Sequence, residues 1–264
     1  MKYQPVIEFS FDPKALRLIL DTLRELLTDA NLCFSRRGLS ICGIDPNRLV
    51  IVDLQLESAS EMVMNDNEEI FFGVYIPFLY KMLRYCSPSD KAFFQLNASQ
   101  PDTLKLVVVN DEGSTAMTSS FKNIMIPVDR YPANQNNSEY FKCRIPSIAF
   151  AKQLKEVGAV SKNIKIAFGP NELNLYGSNE NSSVIRANKN VSYLDKSPTE
   201  VCEYTFILRY LDKFIKPNLS EVVTLRFGAN LPMEISHSFD KGVMRMIISP
   251  ITWNFDEMET QGPA

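Results

Sequence analysis

The chain has 264 residues, 45% hydrophobic and 22% charged, and 28 Lys and Arg against 31 Asp and Glu leave a formal net charge of −3. That is enough apolar material for one or two packed domains and too much for a disordered chain. No apolar run is long enough to span a bilayer, and the opening MKYQPVIEFSFD lacks the long apolar core of a signal peptide, so neither membrane insertion nor secretion is expected.

In chain order, PKALRLILDTLRELL (13–27) carries helical periodicity and opens on Pro13. The stretch GLSICGIDPNRLVIVDLQLE (38–57) reads as a hairpin. Leu39 and Ile41, then Leu49, Ile51, Asp53 and Gln55, alternate between two faces, and Asp45-Pro46-Asn47 supplies turn chemistry. A second helix is expected in FLYKMLRYC (78–86). The segment NIMIPVDRYPANQNNSEY (123–140), with two prolines and a run of Asn and Gln, reads as an extended linker. Two more helices follow in PSIAFAKQLKEV (146–157) and ILRYLDKFIK (207–216).

The chain says much the same thing twice. Pro13 and Pro146 open helices 133 residues apart, while Lys81 with Lys213 and Arg84 with Lys216 are each separated by 132. Asn31-Leu32 matches Asn163-Ile164 at 132, and Leu39 to Gly43 matches Leu173 to Gly177 at 134. Each half therefore reads strand, helix, three or so strands, helix, then more strands: an α+β duplication rather than a βαβ series. The expected boundaries are 1–122, a linker over 123–140, a second domain over 141–258 and a tail over 259–264.

Catalytic chemistry finds little material. The one histidine, His237, sits in the strand-like MEISHSF, where a structural role is the commoner one. Phosphate-binding loops, dinucleotide fingerprints and zinc motifs are missing, and Glu68 with Glu69 reads as a solvated acidic pair. Cys33, Cys42, Cys86, Cys143 and Cys202 are scattered and odd in number, as reduced core thiols would be. No cofactor, metal or enzymatic activity is expected.

The helices carry the next signal. On a helical wheel Lys14, Arg17, Asp21 and Arg24 share a narrow sector away from Leu16, Ile19, Leu20, Leu23 and Leu27. Lys81 and Arg84, Lys152 and Lys155, and Arg209, Lys213 and Lys216 repeat the pattern, with Asp21 and Asp212 the chief acids among them. One such face is ordinary solvated surface. Four of them on a net-negative chain imply segregated charge and a polyanion meeting one side.

These stretches resemble a known family. GLSICGIDPNRLVIVDLQL, GVYIPFLYKMLR, IPSIAFAKQLKEVG, FILRYLDKFIK, ANLPMEISHSF and the Ser-Pro of MIISPIT, in this order and spacing, are similar to sliding clamps of the proliferating cell nuclear antigen type. The resemblance implies two similar domains per subunit and a homotrimeric ring with helices lining the hole and antiparallel sheets outside. It implies sequence-independent contact with duplex DNA through the ten basic residues, and processivity gained by tethering DNA polymerase and other replication and repair proteins. It implies loading by a separate ATP-dependent clamp loader and no membrane partner. Proteins bearing a clamp-binding peptide would dock on Ile44, Asp45, Leu49, Tyr131, Pro132, Pro232, Ile247 and Pro250, with Asp45 on the rim. Nuclear localisation, or a viral replication site, goes with this reading. A clamp-like scaffold, a hetero-oligomeric checkpoint-type subunit and a decoy monomer are the alternatives, along with an enzyme built around His237. The chain departs from the family in Trp253 and Phe255, where acidic residues are usual, and in the polar character of the expected interface strands TAMTSSF (115–121) and SSVIRAN (182–188).

Overall fold

The computed structural model describes residues 5–57, 63–64, 69–128, 140–189, 191–194, 196–228 and 231–251. The first half holds β1 (Pro5–Phe11), α1 (Pro13–Leu23), β2 (Asp29–Ser35), β3 (Gly38–Ile44), β4 (Val50–Glu57), β5 (Val63–Met64), β6 (Ile70–Tyr75), α2 (Ile76–Leu83), β7 (Lys91–Asn97), β8 (Gln100–Val109) and β9 (Thr115–Lys122). The second holds β10 (Phe141–Pro146), α3 (Ser147–Gly158), β11 (Asn163–Phe168), β12 (Leu173–Ser178), β13 (Ser183–Asn188), β14 (Ser192–Tyr193), β15 (Cys202–Ile207), α4 (Leu208–Phe214), β16 (Val222–Phe227), β17 (Met233–Phe239) and β18 (Gly242–Ile248).

Helices α1, α2 and α4 are shorter than their periodic stretches, for local reasons, while α3 keeps the length of its own. Asp12 caps α1 by accepting the Lys14 amide at 2.8 Å, and the chain after Leu23 tightens into i to i−3 bonds, Glu25 to Thr22 and Leu26 to Leu23. Arg24 and Arg84 are therefore C-caps of α1 and α2 rather than interior residues. Helix α4 stops at Phe214 because Pro217 follows, pushing the chain toward extended backbone, so Lys216 lies beyond the helix.

Strand pairing makes the duplication explicit. A five-stranded sheet runs β5-β1-β7-β8-β9 and a four-stranded sheet runs β13-β12-β11-β15. Between them a nine-stranded sheet runs β14-β10-β16-β17-β18-β4-β3-β2-β6. Its first five strands copy the order of the five-stranded sheet and its last four copy that of the four-stranded sheet. The two copies are fused by antiparallel pairing of β18 with β4, from Gly242 opposite Leu56 to Ile248 opposite Val50. Glycine permits this close join, since a Cβ on Gly242 would lie 2.3 Å from the Gln55 carbonyl oxygen.

The core lies between sheets and helices. Leu16, Leu20 and Leu23 of α1 join Leu32, Ile41 and Val52, while Phe150, Leu154 and Leu211 join Ile166, Leu225 and Phe206. Helix α1 packs beside α2, α3 beside α4, and α1 meets α4 across the join of the halves. All four helices thus lie over one face of the sheets. On the other face Asn31 Nδ2 donates to the carbonyls of Ile126 and Pro127 at 3.2 and 3.1 Å, laying the start of the linker over β2.

His237 is fully buried in β17, its ring beside Phe214 with Nε2 at 3.2 Å from the Phe214 carbonyl and Nδ1 at 2.7 Å from Ser220 Oγ. The carbonyl can only accept, which places the neutral ring's proton on Nε2 and ties the end of α4 to the sheet. The expected structural role of this histidine holds. Burial lowers its pKa to about 4. An unfolded histidine takes its proton near pH 6.5, so the contribution of the neutral ring is complete above that value and is lost as pH falls toward 4, a difference of about 3 kcal/mol. Urea unfolding of wild type and His237→Gln between pH 7 and 4 should show the steeper acid loss in the wild type.

Candidate functional site

The turn between β3 and β4 is built on Asp45, which is 2% exposed. Its carboxylate accepts the amides of Leu49 at 2.7 Å, Val50 at 2.8 Å and Asn47 at 3.1 Å, and the Tyr210 hydroxyl at 2.8 Å. Burial pushes this carboxyl's pKa up, but the Tyr210 hydroxyl and the three amides outweigh it and hold the group below its ordinary value. Asn47 Nδ2 also donates to the Tyr210 oxygen at 3.0 Å, as does the Arg209 guanidinium at 3.1 Å. Asp45 is therefore not a rim group, as the resemblance had implied. It is the buried knot that ties the turn of the first half to α4 of the second, because four donors fill its acceptor positions and leave no lone pair for an incoming peptide.

What the knot presents is apolar. Ile44 and Leu49 on its two sides are 40% and 37% exposed. Register places Ile44 opposite Ile51, Ile51 opposite Ile247 and Ile247 opposite Glu234, one row across the outer face of four strands. Of these Ile247, at 5% exposed, is nearly covered and contributes floor rather than contact surface. Pro250 follows β18, Pro232 precedes β17, and both are partly buried at the same strand ends as Leu49, whose carbonyl accepts the Ser249 amide at 3.4 Å. The row is flanked by both described ends of the linker. Asn31 holds one side, and at the other Tyr140 lies under the Arg226 guanidinium, 3.8 Å from the ring centroid. Tyr131 and Pro132 lie outside the described residues.

Beside the isoleucine row runs a chain of charge, Asp53 to Arg245 at 2.8 Å and Arg226 to Glu234 at 3.3 Å. Burial raises the Asp53 pKa, and the hydrogen bond and charge of Arg245 offset only part of that rise.

The opposite face carries the basic residues. Lys14, Arg24, Lys81, Arg84, Lys152, Lys155 and Arg209 are exposed, and Arg17, Lys213 and Lys216 are half-buried. Not all of this charge is free. Arg24 bonds Asp21 at 2.7 Å and stacks over Tyr80, while Lys213 meets the Glu25 carboxylate at 3.4 Å and its carbonyl at 3.1 Å. Glu25 belongs to this face as well: it stands one turn after Asp21, close to the Lys14 direction on the helical wheel, and was missed there. Among the described residues Lys14, Arg17, Lys81, Arg84, Lys152, Lys155 and Lys216 form no ion pair. An open cleft of about 930 Å³ runs from Leu49 to Lys155, Lys162 and Arg209, linking the two faces at one rim.

Two family models account for most of this geometry: "Proliferating cell nuclear antigen, N-terminal domain" matches residues 7–131 and the corresponding C-terminal domain matches residues 136–251. The chain belongs to the proliferating cell nuclear antigen family. It is 21% identical to the DNA polymerase sliding clamp of Thermofilum pendens, over 93% of this chain and 99% of that one. It is 23% identical to DNA polymerase sliding clamp 3 of Sulfurisphaera tokodaii, over 88% of this chain and 93% of that one. Among solved structures, proliferating cellular nuclear antigen from Entamoeba histolytica superposes with a TM-score of 0.79 at 15% identity, covering 94% of this chain and 99% of that one.

Within this family member, sequence reasoning missed Tyr210 and Ile51. The signal for Tyr210 was indirect, since an Asp opening an Asp-Pro-Asn turn bonds backbone amides and leaves one lone pair seeking a donor. Asp45→Ala would strip that acceptor from three amides and a phenol, costing about 2 kcal/mol. Denaturant unfolding should show that loss, whereas Asp21→Ala, at a partly exposed helical pair, should change stability by less than about 0.5 kcal/mol.

Proposed function

We propose that this chain is a processivity clamp for DNA polymerase, closing as a ring of three copies around duplex DNA and holding partner proteins on its outer face. The observation that carries the ring is the strand count. Strand β9 ends the five-stranded sheet and β13 ends the four-stranded one, and they stand where β18 and β4 stand in the nine-stranded sheet. Pairing β9 of one copy with β13 of the next would repeat, between chains, the join that β18 and β4 already make within one. Such a head-to-tail contact propagates until it closes, and it covers two edges that would otherwise invite aggregation. The count of three rests on the family resemblance.

The second join is chemically weaker than the first. Met244, Met246 and Ile248 face Val50, Val52 and Leu54 in the buried layer of the internal seam, whereas Met117, Ser119 and Phe121 would meet Val184, Arg186 and Asn188 between chains. Sedimentation over a dilution series should give three chain masses at high concentration, dissociating on dilution. Ile185→Lys, at an edge residue 60% exposed in the single chain, should favour dissociation without altering its fold. A single-chain mass at all concentrations would remove the ring.

The names of the two sliding-clamp relatives support the polymerase role. Topological linkage removes any need for tight contact, so scattered exposed lysines and arginines at exchangeable distance from phosphate suit sliding better than a deep basic groove would. Work on DNA then needs no bond chemistry in the clamp, and opening falls to a separate ATP-driven loader. Glu at Lys81, Arg84, Lys213 and Lys216 together should cut retention on circular DNA and polymerase processivity, with the wild-type advantage shrinking as salt rises. Undiminished retention would make these faces ordinary surface.

Partner segments would seat apolar side chains on Ile44, Leu49 and the isoleucine row, with Pro232 and Pro250 at the border. Truncating Ile44 and Leu49 to Ala should weaken a clamp-binding peptide, one with a glutamine, an aliphatic residue and paired aromatics, by roughly 1–3 kcal/mol in titration calorimetry. Ring mass and DNA retention should not change, because neither residue lies on β9 or β13 and neither substitution alters a charge.

A further inference from the structure

The β4 and β18 strands have two ends, and the partner surface occupies only one. At the other, a cavity of about 400 Å³ opens at the join of the two halves. Its walls are Phe11, Leu16 and Ile19 from the first half and Leu219 and Phe239 from the second, with Leu56 at the end of β4. Leu56, Leu219 and Phe239 are only partly buried, so apolar carbon faces the space. The Glu57 amide donates to the Lys241 carbonyl at 2.8 Å, which pins the β17–β18 turn over the end of β4 and holds the second wall in place. The volume falls within the roughly 300–1,000 Å³ of preformed ligand sites, which favour domain junctions.

The mouth carries a net negative charge. Asp12, Glu57 and Asp240 border it against Lys241 alone. Asp12 uses one carboxylate oxygen on the Lys14 amide, and Glu57 and Asp240 form no ion pair among the described residues. An apolar chamber behind a mouth with three carboxylates against one lysine favours an apolar body carrying positive charge at its neck. We propose that this cavity is a second docking site, taking an aromatic or branched aliphatic side chain from a partner segment in which that anchor is flanked by lysine or arginine. The eight residues of β4 separate it from the Leu49 surface by about 25 Å, so both sites can be filled at once.

The site does not depend on the ring or on the clamp reading, and its test uses the full chain with assembly mass recorded. Methyl-detected NMR would follow Ile19, Leu56 and Leu219 during titration with Ac-KKFLKK-NH2, Ac-EEFLEE-NH2 and Ac-KKAAKK-NH2. The basic peptide with the apolar centre should give saturable shifts at these three residues, and each of the other two should bind at least about tenfold more weakly. Ala15→Trp, which plugs the mouth from the exposed side of α1, should abolish the shifts. Glu57→Lys with Asp240→Lys, both surface changes, should weaken the basic peptide and strengthen the acidic one, and decides the matter should the tryptophan variant misfold. Absence of shifts at the three methyl groups overturns the proposal, as does equal binding of Ac-KKAAKK-NH2 or Ac-EEFLEE-NH2. Binding that survives the charge reversal overturns it too.

Discussion

The antiparallel pairing of β18 with β4 is the constraint on which the rest of the molecule depends. It joins the last strand of the second half to an inner hairpin of the first, making one sheet of two repeats. Because antiparallel register sets every side chain's face, this single pairing decides that Ile51 and Ile247 adjoin outside and Val52 and Met246 adjoin inside. It also brings α1 against α4, so that helices encoded some 190 residues apart present one surface. Glu25 and Lys213 meet only because the strands beneath them do.

Charge is distributed with the same economy of position. A chain of net charge −3 carries its acids largely away from the helical face. Of the acids that do enter it, Asp21 and Glu25 hold Arg24 and Lys213 in place. Those two cations are thereby preorganised, while Lys81, Arg84, Lys152 and Lys155 keep full freedom at the exposed ends of long side chains. Exposed pairs of this kind contribute little to stability, so the pattern is better understood through what the face meets than through what it holds together.

The duplication, the four helices and the two polar edge strands were legible in the sequence because each rests on local periodicity or on a repeat of fixed spacing. Helix ends were misplaced where a competing local rule acted: the tightened turn after Leu23, and Pro217 after α4. The fate of Asp45 was not legible, because its partner Tyr210 is 165 residues away and reaches it only through the β18–β4 seam. The same holds for Ile51, one of several alternating strand residues until register seats it between Ile44 and Ile247. Ile247 itself shows the opposite error, an outward-facing residue that is only 5% exposed.

The knot at Asp45 explains why the outer and inner faces can be treated as parts of one rigid body. The turn that exposes Ile44 and Leu49 is held by a carboxylate whose fourth donor is Tyr210, and the Tyr210 oxygen in turn accepts from Arg209 on the helical face. A continuous run of hydrogen bonds therefore links the turn to the helical face, and the Asp45 carboxylate is fully satisfied within it. In the low dielectric around a residue 2% exposed, such a run strengthens each of its bonds and penalises breaking any one of them. A partner docked on the outer row, as proposed, would then be held at a set angle and height relative to the helical face. In the clamp we propose, fixed geometry of that kind would keep a partner's working site aligned with duplex DNA.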